Sequence, residues 1–148
     1  FVEVEPLIGD VNDAAKKIHQ KLKEIESSTK PTAIVWGGET TVKIKGSGLG
    51  GRNQELALIV AELAHQDPIR KSWTFLSGGT DGRDGPTEAA GAIVDQETCK
   101  RILNEGYQVY DFLAENNSNK ALKISNDLLH TGATGTNVAD VQILIVSQ

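Results

Sequence analysis

Arg52 heads the residues whose type and spacing could do chemistry. It follows a glycine-rich run, Gly46-Ser47-Gly48-Leu49-Gly50-Gly51, and precedes Asn53-Gln54-Glu55, where an apolar segment begins. Glycine lets a ligand come close to the backbone. A helix starting near Asn53 would aim its free N–H groups and the positive end of its dipole at the same spot. Arginine adds a planar fork that grips carboxylate or phosphate with two parallel hydrogen bonds. The segment thus predicts an anion site, with Gly48, Gly50, Gly51, Arg52 and Asn53 as candidates. Its alternative is a plain glycine-rich connection with Arg52 at the surface.

Two further segments carry similar potential. In Thr80–Thr87, Asp81 and Asp84 lie three residues apart among glycines and before Pro86. Such a pair can hold Mg²⁺ or take a proton from a substrate hydroxyl. The same residues also build ordinary tight turns. An EF-hand is excluded, because its ligands alternate and end on a distant Glu. The segment Thr131-Gly132-Ala133-Thr134-Gly135-Thr136-Asn137 offers hydroxyls and backbone N–H groups that suit phosphate oxygens, or again a turn.

Other chemistries are disfavoured. Gly46, Gly48 and Gly51 fit G-x-G-x-x-G, and Glu62 or Asp67 lies where a ribose-binding acid would sit. A dinucleotide fold needs the preceding strand in a parallel βαβ unit, whereas the spacing here suits a hairpin. Cys99 occupies an apolar helix position without a basic neighbour and reads as a core thiol. No C-x-x-C or H-E-x-x-H occurs, which argues against metal binding by Cys and His. His19 and His65 read as solvent-facing on helices, and His130 as a structural or surface residue.

The elements that must position these residues follow from periodicity. Asp10 caps a helix whose apolar positions are Val11, Ala14, Ala15, Ile18, Leu22 and Ile25, with lysines on the opposite face. Thr32–Trp36 and Thr41–Lys45 read as two strands of an antiparallel hairpin around Gly37–Thr40. A helix from Asn53 to about His65 is apolar nearly all round and must be buried on most sides. Trp73–Ser77 is a strand, and Ala89–Val94 a further short one. Asp95 caps a helix that stops at Gly106. Tyr107–Leu113 and Ser118–Ile124 are short helices divided by Asn116-Asn117, and Val138–Val146 is a closing strand. The whole predicts a single α/β domain with a mixed β-sheet flanked by helices and glycine-rich loops at strand ends. In such sheets ligands gather beyond the strand carboxyl ends, where these loops could meet.

Composition sets the bounds. The chain has 148 residues, 39% hydrophobic and 24% charged, which is one ordered domain. Its 15 Lys+Arg against 20 Asp+Glu, a net charge of −5, argue against a protein that coats nucleic acid. The apolar runs Leu56–Ala61 and Ile143–Val146 are too short to span a bilayer. Phe1–Pro6 has no basic start or apolar stretch, so it does not read as a signal peptide. A single cysteine points to a reducing compartment, the cytoplasm first and the mitochondrion second. Methionine is absent and the chain starts at Phe1, which points to a piece of a longer polypeptide.

Four ordered motifs together resemble a known family. They are Gly37-Gly38-Glu39-Thr40-Thr41-Val42, then Gly46–Gly51 running into Arg52-Asn53-Gln54-Glu55-Leu56, then Gly79–Thr87 with Ala90-Gly91, and finally Thr131–Val138. This pattern resembles the MOFRL domain, the C-terminal domain of the glycerate kinases. The resemblance implies phosphorylation of D-glycerate by ATP with Mg²⁺. It implies an active site in the cleft with a larger N-terminal Rossmann-like domain that contributes a lysine and is absent from residues 1–148. Arg52 then matches the family's cleft arginine. On this reading Arg52 takes the glycerate carboxylate or the migrating phosphoryl group. Glu39, Asp81 or Asp84 binds Mg²⁺ or orients the attacking hydroxyl. The glycine loops, with Thr80, Thr134, Thr136 and Asn137, contribute N–H and hydroxyl groups around one shared electropositive rim. Relatives have also been labelled hydroxypyruvate reductases, which would make the glycine loop a nicotinamide site. A third reading is a binding or assembly module without catalysis of its own.

Overall fold

The computed structural model describes residues 5–147. The first four residues of the Phe1–Pro6 segment lie outside them.

The chain runs β1 (Gly9–Asp10), α1 (Val11–Glu26), β2 (Thr32–Gly38), β3 (Thr40–Thr41), α2 (Arg52–Gln66), β4 (Trp73–Gly79), β5 (Gly91–Asp95), α3 (Thr98–Asn104), α4 (Val109–Ala114), α5 (Ser118–Ser125), β6 (Leu128–Leu129) and β7 (Asp140–Val146). The Asp10 carboxylate accepts the Asn12 N–H at 2.8 Å and caps α1, whose buried positions are the six apolar residues of its 3.6-residue stripe. Helix α2 buries every residue from Asn53 to Ala61. It lies between β4 and β5 on one side and α1, α3, α4 and α5 on the other, so it has almost no solvent face to populate with polar residues.

Five strands form one sheet in the order β2-β7-β4-β5-β6, and every pairing in it is antiparallel. Parallel pairing is confined to the two-residue ladder of β1 with β3. Trp36, Phe75, Val94 and Leu144 point from the sheet into the helix layer and are buried. The α/β architecture thus follows the sequence pattern, but the hairpin does not form. The Leu7 N–H donates to the Gly37 carbonyl at 2.9 Å, so the segment ahead of α1 occupies the edge of β2 that a hairpin partner would need. Residues 42–45 are irregular instead. Asn116, in the left-handed region at φ 51°, holds them by accepting the N–H groups of Lys45 at 2.6 Å and Gly46 at 3.1 Å.

Register decides where the loops go. Asp140, the first residue of β7, pairs with Gly38 at the end of β2 and with Gly79 at the end of β4. Gly78 pairs with Gly91, the start of β5, and Gly91 with Leu129, the end of β6. The segments after β2, after β4 and before β7 therefore leave the sheet at one end, although Gly38 and Asp140 are 102 positions apart in the chain.

Candidate functional site

The three glycine-containing loops touch one another at that end. Gly82, at φ +88°, packs so close to the third loop that a Cβ there would lie 1.9 Å from the Gly132 carbonyl oxygen. Gly51 packs on the second loop, where a Cβ would lie 2.4 Å from the Asp84 carboxyl carbon. The Thr80 hydroxyl donates to the Ala139 carbonyl at 2.7 Å and accepts the Val138 N–H at 2.8 Å, and the Thr134 hydroxyl donates to the Thr80 carbonyl. Thr80 and Thr134 thus stitch loop to loop.

Arg52, the first residue of α2, lies across the junction. Its Nε donates to Asp140 Oδ2 at 2.7 Å and its Nη2 to Asp140 Oδ1 at 3.0 Å, a two-bond fork on a carboxylate with no exposed surface. The remaining terminal nitrogen, Nη1, lies 3.0 Å from Glu39 Oε1. Hydrogen bonding to Asp140 and the charges of Asp140, Glu39 and Asp84 hold the guanidinium more firmly protonated than usual, against some desolvation. About a third of the Arg52 side chain remains exposed, and Glu39 is largely exposed. Both line a cleft of about 520 Å³ together with Thr40, Gly51, Gly85 and Pro86. Thr40 is 1% exposed and its hydroxyl has no hydrogen-bond partner among the described residues. A buried polar group of this kind at the wall of a cleft suits a ligand or water partner.

The start of α2 is filled from within the chain, not left open. Asp84 Oδ1 accepts the Asn53 N–H at 3.0 Å, and Oδ2 accepts the Gln54 N–H at 2.9 Å. The side-chain amides of Asn53 and Gln54 donate to the same carboxylate at 3.2 and 2.9 Å. Burial raises the Asp84 pKa, and these donors oppose the rise without cancelling it. Asn53 is itself buried, its Oδ1 accepting the Ser77 hydroxyl at 2.6 Å. Among the loop N–H groups expected to face a ligand, that of Gly48 is in use, as is that of neighbouring Leu49. Gly48 donates to the Glu115 carbonyl at 2.8 Å and Leu49 to Asn117 Oδ1 at 3.2 Å. The reason is geometric: the loop lies against the α4–α5 turn, whose asparagines satisfy its backbone.

The other candidates are at the surface. Asp81 is exposed and accepts the Arg83 N–H at 2.9 Å. Thr136 and Asn137 are exposed, and Asn137 Oδ1 accepts the Ala139 N–H at 3.2 Å. Asp84 does not fit a Mg²⁺ ion, since N–H donors occupy both of its oxygens. No group of three or more His, Cys, Asp or Glu residues suited to a metal occurs among the described residues. Nor is the rim electropositive: Glu39, Asp81, Asp84 and Asp140 outnumber Arg52 and Arg83. His65 and His130 are exposed as expected. His19 is instead half-buried, with Nε2 3.1 Å from the Asp67 carbonyl. Cys99 is buried, and burial beside Glu62 pushes its thiol far above the usual range, as a core residue requires. Among the described residues, the strands either side of α2, β3 and β4, lie in different sheets and do not form the parallel βαβ unit that a dinucleotide fingerprint needs.

Sequence reasoning missed Asp140, Thr40 and Asn116. Asp140 carried one signal, a lone acid at the head of a largely apolar β-run. Thr40 and Asn116 carried none that distinguishes them from turn residues.

Loops gathered at one sheet end around an anchored arginine border a cleft in an α/β domain. The MOFRL family profile matches residues 32–140, and the chain belongs to that family. It is 45% identical over 142 residues to the D-glycerate 2-kinase of Thermotoga maritima, a match covering 93% of this chain and 33% of that protein. It is 45% identical over 148 residues to human glycerate kinase, covering 97% and 28% of the two. The crystal structure of glycerate kinase from Thermotoga maritima superimposes with a TM-score of 0.92 at 42% identity, covering 99% of this chain and 36% of that one. A Pyrococcus horikoshii protein of known structure gives 0.87 at 41%, covering 99% and 34%. The chain spans about a third of the length of these relatives. No helix among the described residues is long and apolar enough to cross a membrane.

Proposed function

We propose that this chain is the C-terminal domain of an ATP-dependent glycerate kinase and supplies one wall of its active-site cleft. The observation that carries the reading is the Arg52 fork. A guanidinium fixed at Nε and Nη2 by buried Asp140 turns its remaining edge toward the cleft lined by the β2–β3 connection, Gly50–Gly51 and Gly85–Pro86.

Phosphoryl transfer requires positioning and charge compensation more than covalent help. The glycerate hydroxyl oxygen forms a bond to the γ-phosphorus, the bond to the ADP oxygen breaks, and the hydroxyl proton passes to solvent water. Arg52 holds the glycerate carboxylate or the migrating phosphoryl group. Asp81, the exposed carboxylate of the rim, orients the attacking hydroxyl. Thr136 and Asn137 offer side-chain donors to phosphate oxygens. Asp84 acts as a positioning residue that fixes the start of α2 and hence Arg52. Mg²⁺ would neutralise phosphate charge when bound with ATP. The lysine-bearing Rossmann-like domain belongs to the rest of the longer polypeptide.

Arg52→Ala in the intact protein tests the reading. The loss of one preorganised charged donor is expected to cost about 2–4 kcal/mol in the barrier, or roughly 30- to 1,000-fold in kcat/KM for D-glycerate. A near-normal kcat/KM overturns the assignment. The oxidoreductase reading predicts saturable NADH or NADPH binding at Gly46–Gly51. Cofactor fluorescence titration is expected to show none, because the fold builds no dinucleotide unit.

A further inference from the structure

Arg52 meets two carboxylates of opposite character. Asp140 belongs to β7, has no exposed side-chain surface and takes two N–H groups of the fork. Glu39 lies in the connection between β2 and β3, is 59% exposed, and meets only Nη1. The first pair is locked by strand register. The second is held by one contact of a solvated, flexible side chain, the kind of ion pair that contributes little net stability. Both Glu39 and Arg52 line the same cleft, so the exposed carboxylate sits on the donor edge that an incoming anion must use. A carboxylate on Nη1 is chemically what a carboxylate-bearing substrate would place there.

We propose that Glu39 is a displaceable competitor at Arg52, an internal stand-in for the substrate anion that leaves Nη1 when that anion binds, while Asp140 is the positioning residue that keeps the fork in place throughout. This rests on the glycerate-kinase reading for its substrate, but the competition itself concerns any small oxyanion in the cleft. The arrangement sets specificity as well as affinity. An anion able to bridge Nη1 replaces Glu39 with equal charge, whereas a neutral analogue would leave the arginine edge unpaired and so loses the exchange.

The test uses the intact protein carrying this chain. Inorganic phosphate affinity by calorimetry and the KM for D-glycerate are measured for the wild type, Glu39→Gln, Glu39→Asp, Asp140→Asn and Asp140→Glu. Glu39→Gln removes the competing charge, and Glu39→Asp keeps the charge but shortens its reach by one methylene. Both are expected to tighten phosphate about two- to fivefold, the scale of one exposed ion pair. Asp140→Asn is expected to raise KM and lower kcat together, with partial recovery in Asp140→Glu. Tightening in Glu39→Gln alone would mean a general field effect and would overturn the competitor, as would unchanged or weaker phosphate binding in both, or no phosphate binding in any form. Tightened phosphate in a protein that does not turn over D-glycerate would uphold the competitor and reject the kinase reading. Normal turnover without tightening would do the reverse.

Discussion

Asp84 shows how a residue chosen for its chemistry can be needed first for its geometry. Its two oxygens receive four N–H donors from Asn53 and Gln54, two of them the backbone groups that open α2. Removing the carboxylate leaves buried donors without partners, which costs more than the bonds themselves contribute. Asp84→Ala is therefore expected to lower the stability of the domain by about 1–3 kcal/mol, read as a reduced urea midpoint at unchanged slope. An unchanged midpoint would show that solvent reaches the start of α2. Sequence placed Asp84 and Arg52 in the site because their motifs are dense in glycine and charge. It could not place Asp140, because the partnership with Arg52 spans 88 residues and is created by strand register, for which no local pattern exists. The same reach hid the half-burial of His19 against Asp67, 48 residues away.

At the scale of elements, α1 and α2 were legible for opposite reasons. The stripe of α1 repeats at helical spacing behind an aspartate cap, and α2 is apolar all round because it is packed on all sides. The expected β2–β3 hairpin failed because local turn chemistry competes with tertiary pairing, and the segment at Leu7 took the edge. Burial of α2 also leaves a titrating group inside the fold. Glu55 lies in its first turn, and desolvation raises its pKa above the ordinary value of 4.5 even though Asn116 donates to it at 3.0 Å. The folded chain then binds this proton more tightly than the unfolded chain. The contribution of Glu55 to stability is fully present below pH 4.5 and is lost as pH rises through the folded value. Glu55→Gln keeps an acceptor for Asn116 and abolishes the titration. Against the wild type it is expected to gain stability as pH rises from 4 to 8, and thermal melts across that range check the sign. A variant that loses stability toward pH 8 would mean that the charge of Glu55 is satisfied in the fold.

The whole molecule divides its tasks between core and edge. One continuous cluster links α1, α2, the sheet and α3–α5, with Ile18, Leu22, Leu56, Phe75, Ile102 and Leu144 fully enclosed. Such a core resembles that of an independent domain. Nearly all residues with candidate chemistry lie instead at one end of the sheet, on a rim where acids outnumber arginines. That rim anchors a single guanidinium but supplies little positive charge to offset the phosphates of a nucleotide. On the proposed kinase reading, groups outside these 148 residues would have to neutralise them, and the relatives are about three times as long. The 148 residues are thus expected to fold alone, with one cooperative urea transition, and to show no ATP-dependent phosphorylation of D-glycerate. The intact protein is expected to phosphorylate D-glycerate. Turnover by the isolated chain would mean that its rim holds a complete catalytic set. A failure to fold alone would mean that its cluster depends on surfaces supplied by the rest of the polypeptide.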